Sequence, residues 1–224
     1  IHEVSYILHM APADRSGYEV CAGRSKGCTK ACLNGAGQGF NPSVQAGRRR
    51  KTRFYFEHRA LFLLCLYAEL ALLANRSYRV SVRLNGTSDI MFERWEWLFT
   101  SFPSIQCYDY TKIAKRFAKT LPDNYRLTFS RSESNSAQMS QVWKRGGNVA
   151  VVFSPEIYDR LMNQDSPTYM GRPVFDMKSD DRRYLDPSFV GGGVGALKAL
   201  GPAVHDTTGF VVRSLRTDRL ALVA

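Results

Sequence analysis

The chain has 224 residues, 44% hydrophobic and 23% charged, a composition that excludes a disordered or low-complexity protein and supports one domain over 1–224. Lys and Arg outnumber Asp and Glu by 31 to 20, a net charge of +11. Such an excess favours polyanionic partners such as nucleic acid, and it is equally the mark of a solvated basic surface.

β-Branched and aromatic residues dominate VSYILHM (Val4 to Met10), which reads as a first strand. A cysteine- and glycine-rich loop follows, about 18–42. From Ser43, a suitable N-cap, to Asn75 the pattern predicts one long helix containing RRRKTRFYFEHRALFLLCLYAELALLA. Its apolar part, Ala60 to Ala74, carries Glu69 and falls short of the roughly 20 apolar residues of a membrane span. It is therefore expected to be a buried helix with Cys65 in the core, and no membrane partner is expected. YRVSVRLN (Tyr78 to Asn85) predicts a second strand and FERWEWLF the helix after it. SIQCYDY predicts a third strand followed by a helix from Lys112 to Lys119, and YRLTFS a fourth followed by a helix from Asn135 to Lys144. NVAVVFS predicts a fifth, with a short helix from Pro155 to Met162. RPVFDM predicts a sixth strand and GFVVRSL a seventh. The irregular region at about 164–208 is expected to be a lid or extended loop. Within it, GGGVG (Gly191 to Gly195) opens a helix-like ALKALG whose N-terminus would receive an anion.

Strands alternating with helices imply crossover connections and a mostly parallel sheet. The expected fold is α/β, an incomplete parallel β/α barrel of six to seven strands, with an open doubly wound sheet as the alternative. Either architecture puts function at the carboxyl ends of the strands.

The loop after the first strand contains CAGRSKGCTKACLNGAGQG (residues 21–39). Cys21, Cys28 and Cys32, three of the five cysteines, stand there at the spacing C-x6-C-x3-C among five glycines. An odd, clustered set does not suggest a secreted disulfide framework, so a cytoplasm is the expected location. Glycine lets a backbone wrap closely round an object, and Arg24, Lys26 and Lys30 would favour thiolates. A thiolate-only set suits zinc or iron–sulfur chemistry rather than magnesium or calcium. Structural zinc wants four closed ligands, for which His9 is the nearest histidine. Three thiolates alone suit a 4Fe–4S cluster with one iron open to a substrate, cofactor or other small molecule. Redox-active thiols and coincidence are the remaining readings. Cys107, near the end of the third strand, faces either the same mouth or the core.

Arg83, Asn85 and Asp89 lie at or after the end of the second strand, Asp109 and Lys112 at the third, Arg131 and Glu133 after the fourth. Converging on one mouth, they would bind the amino and carboxylate groups of an amino-acid-like ligand, or a phosphate through arginine. Acidic residues at such turns also serve as N-caps. RRRKTR (Arg48 to Arg53) offers contact to nucleic-acid phosphates, contact to cluster and ligand charges, or simply a solvated surface.

A cysteine triplet in the loop after the first strand of a β/α barrel resembles, by position, the radical S-adenosylmethionine superfamily. That superfamily has C-x3-C-x2-C where this chain has C-x6-C-x3-C, and often GGE where this chain has NGTSD (Asn85 to Asp89). The resemblance implies a cluster-binding, radical-SAM-like barrel with S-adenosylmethionine as ligand of the open iron. CAGRSKGCTKACLNGAGQG, RRRKTRFYFEHR, VRLNGTSDI, YDYTK, LTFSRSESN and GFVVR together resemble, over nearly the whole chain, an uncharacterised family found mainly in phages. That implies a viral origin, and hence a host-cell cytoplasm, and it names no reaction. The expectation is a phage iron–sulfur protein with a 4Fe–4S cluster on three cysteines and redox or radical-SAM-like chemistry at the open iron. The alternative is a zinc-stabilised, basic nucleic-acid-binding module.

Overall fold

The computed structural model describes residues 2–35 and 37–215. Its strands are β1 (Glu3–Ile7), β2 (Arg79–Arg83), β3 (Gln106–Thr111), β4 (Tyr125–Ser130), β5 (Val149–Phe153), β6 (Thr168–Tyr169), β7 (Arg172–Asp176) and β8 (Val194–Lys198). They form one 8-stranded sheet in the order β1-β2-β3-β4-β5-β8-β7-β6. Only the β6–β7 pair is antiparallel. The sheet is open, with β1 and β6 at its edges, and has eight strands where six to seven were expected. The helices are α1 (Lys26–Lys30), α2 (Pro42–Glu57), α3 (Arg59–Ala74), α4 (Trp97–Thr100), α5 (Ser136–Trp143) and α6 (Pro155–Met162). No helix among the described residues is long and apolar enough to cross a membrane.

Strands β1 to β5 lie side by side in chain order. Right-handed crossovers stepping in one direction place their connections on one face of the sheet. The register shows what that does to the alternating sequence. Val82, Cys107 and Tyr125 are partnered across β2, β3 and β4, as are Phe129 and Val149 across β4 and β5. These residues point to the helix-covered face, where Val82, Cys107 and Tyr125 pack in one core with Leu66 and Leu70 of α3. The opposite face carries Glu3, Ser5, Ser81, Arg83, Tyr108 and Tyr110, and the segment after β7 lies across it. The Tyr184 ring lies tilted against Tyr108, with centroids 5.7 Å apart, and its hydroxyl donates to Glu3. Arg182 pairs with Glu3 at 3.0 Å, and Arg83 with Asp181 at 3.0 Å.

The region expected to be a lid or loop therefore supplies β6, β7, this inlay and β8. The glycines of GGGVG lead into a strand rather than a helix, so no helix N-terminus awaits an anion there. Tertiary context overrides the helix-forming composition: β8 fills the gap between β5 and β7, and Val194 and Ala196 are fully buried. A Cβ on Gly195 would stand 1.7 Å from the Met177 sulfur, so only glycine fits. GFVVRSL gives a single bridge, Val212 to Phe153, in place of a seventh strand.

Three helical expectations also change. The long helix starts two residues earlier, with Asn41 in place of Ser43 as the N-cap, accepting from the Ser43 N–H at 3.0 Å, and it breaks at His58 (φ −135°, ψ 50°). Beyond the break α3 buries Phe62, Leu63, Leu66 and Leu70 but leaves Leu61, Leu64, Cys65 and Leu72 exposed. Cys65 is thus a surface residue, because an apolar helix on the outside of a sheet has only one face to bury. The segment after β3 is a 3-10 turn, Ala114–Ala118, and FERWEWLF divides into a turn and α4.

Buried charge ties the segments following β2 and β3 to the middle of β3 and the first residue of β4. Arg116 donates to Asp89 at 2.8 Å, to both oxygens of Glu93 at 2.9 and 2.8 Å, and to the Tyr125 hydroxyl at 2.8 Å. Tyr125 donates onward to Asp109 at 2.7 Å, and Asp109 also accepts from the Asn85 N–H at 2.6 Å and the Asn85 side-chain amide at 2.9 Å. Removing the guanidinium strands two carboxylates, so Arg116→Met is expected to cost about 3–5 kcal/mol in urea denaturation.

Burial pushes the Asp109 carboxyl up to about 6, against the pull of Arg116, Tyr125 and Asn85. The folded state therefore holds this proton more tightly than the unfolded chain, and its stability contribution is lost as pH rises from about 4 through about 6. The stability advantage of the wild type over Asp109→Asn should shrink across that window in denaturation curves taken at successive pH values.

Candidate functional site

Ser25 starts α1: its hydroxyl accepts from the Cys28 N–H at 3.1 Å, capping the turn that carries Cys28. The same hydroxyl donates to Glu133 at 2.7 Å, and the other Glu133 oxygen accepts from the Gly27 N–H at 2.7 Å. One carboxylate from the loop after β4 thus grips the cysteine turn by side chain and backbone. Burial works to raise the Glu133 carboxyl, but the bonds from Ser25 and Gly27 outweigh it and hold the group below its ordinary range. The fit leaves no room for a side chain at residue 27. A Cβ there would stand 2.2 Å from the Thr208 hydroxyl and 2.6 Å from Phe210. At Gly23, too, an added Cβ would stand 2.8 Å from the Lys112 Cβ.

The three cysteines of this loop are all half-buried. Cys21 donates to the Thr87 carbonyl at 3.7 Å. Burial pushes its thiol up to about 12, and the charges of Asp89, Cys28 and Cys32 add to the rise. Cys32 is raised by burial and by Cys28, with Arg15 and Lys112 pulling the other way. At both Cys21 and Cys32 burial is the larger cause of the rise, and negative charge on Cys28 adds to it. The donors are soft sulfurs, a set whose chemistry suits an iron–sulfur cluster or zinc, while Arg24, expected to favour thiolates, is paired with Asp14 and Glu19. Among the described residues no three His, Cys, Asp or Glu side chains stand together as ligands of a single metal ion. His9 lies against Gly86; burial together with Arg48, Arg83 and Lys51 lowers it to about 4, so it is neutral at physiological pH. Cys107 faces the core, where burial raises its thiol.

The other candidate residues divide into three groups. Lys112 and Glu133 touch the cysteine loop, and Asp89 joins them by accepting from the Lys112 N–H at 2.8 Å. Lys112 also donates to Ser130 at 2.6 Å and lies 5.6 Å from the Phe210 ring centre. Arg131 holds the closing segment, donating to the carbonyls of Gly209 and Phe210 at 2.8 and 2.9 Å. Asn85 and Asp109 belong to the buried network under the mouth, and Arg83 turns to the other face of the sheet, to Asp181.

Sequence reasoning missed Ser25, Asn34 and the turn at 206–208. Ser25, three residues before Cys28, was a visible N-cap signal. Asp206, which accepts from Thr208 at 2.6 Å and from the Val211 N–H at 3.0 Å, is remote in sequence and gave none.

No curated protein and no solved structure matches this chain. The family model described as Gene product 88 matches residues 3–214. A family named by gene-product number agrees with the phage or viral origin implied by the resemblance. The match runs from β1 through the closing segment and takes in all three loop cysteines, and on that extent the chain belongs to the Gene product 88 family.

Proposed function

We propose that the protein holds a 4Fe–4S cluster on Cys21, Cys28 and Cys32, with one iron left for a non-protein ligand. The observation that carries this reading is the set of three half-buried cysteines on one glycine-rich loop, clamped from outside by Glu133. On this reading the one-directional run β1 to β5 is the incomplete barrel of a radical-SAM-like protein in the cytoplasm of an infected host. S-adenosylmethionine is the first small molecule to test at the open iron. The reading names a cofactor and leaves the reaction unassigned.

The zinc-stabilised nucleic-acid-binding module draws its support from the exposed Arg49, Arg50, Lys51 and Arg53 of α2. Metal analysis separates the two. Protein purified anaerobically and reconstituted should be brown, with about four irons and matching sulfide. Cys28→Ser should lose both iron and visible absorption, and full loading of that variant would count heavily against the assignment. A colourless protein with one zinc, binding nucleic acid in a steeply salt-dependent way, would support the second reading.

Glu133→Ala removes the clamp without touching a ligand. It should fold, with an unchanged far-ultraviolet spectrum, and release iron to a chelator at least several-fold faster than the wild type.

A further inference from the structure

Three arginines are buried among the described residues: Arg48 at 8% exposure, Arg116 at 1% and Arg183 at 4%. Two of them are paired as physical chemistry requires. Arg116 meets Asp89 and Glu93, and Arg183 meets Asp186 at 3.3 Å. Arg48 has no carboxylate among the described residues. Its guanidinium donates to the Asn34 side-chain oxygen at 2.6 Å, and its Nε is buried without a hydrogen-bond partner. A neutral amide does not compensate a buried cation, so this charge needs an anion that the chain's carboxylates do not supply.

The position of Arg48 says where that anion is. Asn34 follows Cys32 by two residues in the cysteine loop and is itself buried. The loop turns so tightly there that a Cβ on Gly39 would stand 2.5 Å from the Asn34 carbonyl oxygen, which fixes the amide that receives the guanidinium. Burial lowers the Arg48 guanidinium from its ordinary range, and negative charge on Cys32 would oppose that. The arginine is equally fixed from its own side. Its carbonyl accepts from the Thr52 hydroxyl at 2.8 Å, and that hydroxyl accepts from the Ala11 N–H at 2.9 Å, which ties α2 to the chain leaving β1. Of the basic run in α2, Arg48 is the member turned inward, while Arg49, Arg50, Lys51 and Arg53 face solvent.

We propose that Arg48 is the buried counter-charge of an anionic centre on the cysteine loop, a positioning residue that sets how tightly the thiolate-bound cluster is held and how readily it is reduced. This rests on the cluster reading above. Three thiolates leave a 4Fe–4S centre with net negative charge, and one-electron reduction by an added reductant makes it more negative. A fixed cation nearby therefore favours both binding and reduction. Without the centre the same cation is a burden on the fold.

The test uses the full chain, reconstituted anaerobically with iron and sulfide, as wild type, Arg48→Lys, Arg48→Met and Asn34→Asp. Iron and sulfide content, midpoint potential and melting temperature before and after loading are measured. Arg48→Lys should load and titrate close to the wild type. Arg48→Met should hold less iron, any cluster it holds should have a more negative potential, and its apoprotein should melt about 2–4 °C higher than the wild-type apoprotein. Asn34→Asp gives Arg48 an internal carboxylate and should likewise stabilise the apoprotein and lower the potential; it decides the matter if Arg48→Met does not fold. Full loading of Arg48→Met at an unchanged potential would overturn the inference and leave the cluster reading standing. A lower melting temperature for the apo forms of both variants would make Arg48 a structural residue and overturn it as well. A folded wild type that takes up no iron would remove the cluster reading and this inference together.

Discussion

The constraint on which the rest of the molecule depends is the one-way winding of β1 to β5. Parallel neighbours taken in chain order put their crossovers on one side, so one face of the sheet is buried under helices and the other has to be covered by something else. The inlay after β7 meets that need with polar contacts, because the face it covers carries Glu3, Ser5, Ser81, Arg83, Tyr108 and Tyr110. The same winding brings the loops after β1, β3 and β4 to one end of the sheet, where the cysteine turn rests on Lys112 and Glu133.

Two ways of handling buried charge then divide the molecule. Beneath the mouth, Arg116, Asp89, Glu93, Asp109, Tyr125 and Asn85 form a network in which the charges face one another and fix the loops. Beside the cysteine loop, burial opposes ionisation of Cys21 and Cys32, and Arg48 is buried against a neutral amide. The chain thus settles its charges fully in one place and leaves them open a short way along the same edge. Local conflict with the rules of folding is where function is expected to lie.

Much of this was legible in the residues. The alternation in YRVSVR and SIQCYDY gave strands with one apolar side, and the cysteine–glycine loop announced itself by composition. Other features were hidden for definite reasons. The break at His58 leaves no trace in a run of good helix formers, since it is the change of direction needed to lay two helices on the sheet that ends α2. The strand β8 was hidden behind a helix-like ALKALG, whose place between β5 and β7 only the assembled sheet reveals. Cys65 looked like core because its neighbours are apolar, yet a helix laid on a sheet exposes its far side whatever its composition.

What the sequence determined by itself is local: strand alternation, the caps and turns, the soft-ligand character of Cys21, Cys28 and Cys32, and the basic excess. All of these follow from residue type and short spacing. What only the tertiary structure decided is which charges meet. Glu133 reaches back across more than a hundred residues to Ser25, Gly27 has no side chain because Thr208 and Phe210 occupy its space, and Arg48 alone of its basic run turns inward. Those outcomes depend on contacts between segments far apart in the chain, and the burial that makes each charge costly exists only once the sheet has brought them together.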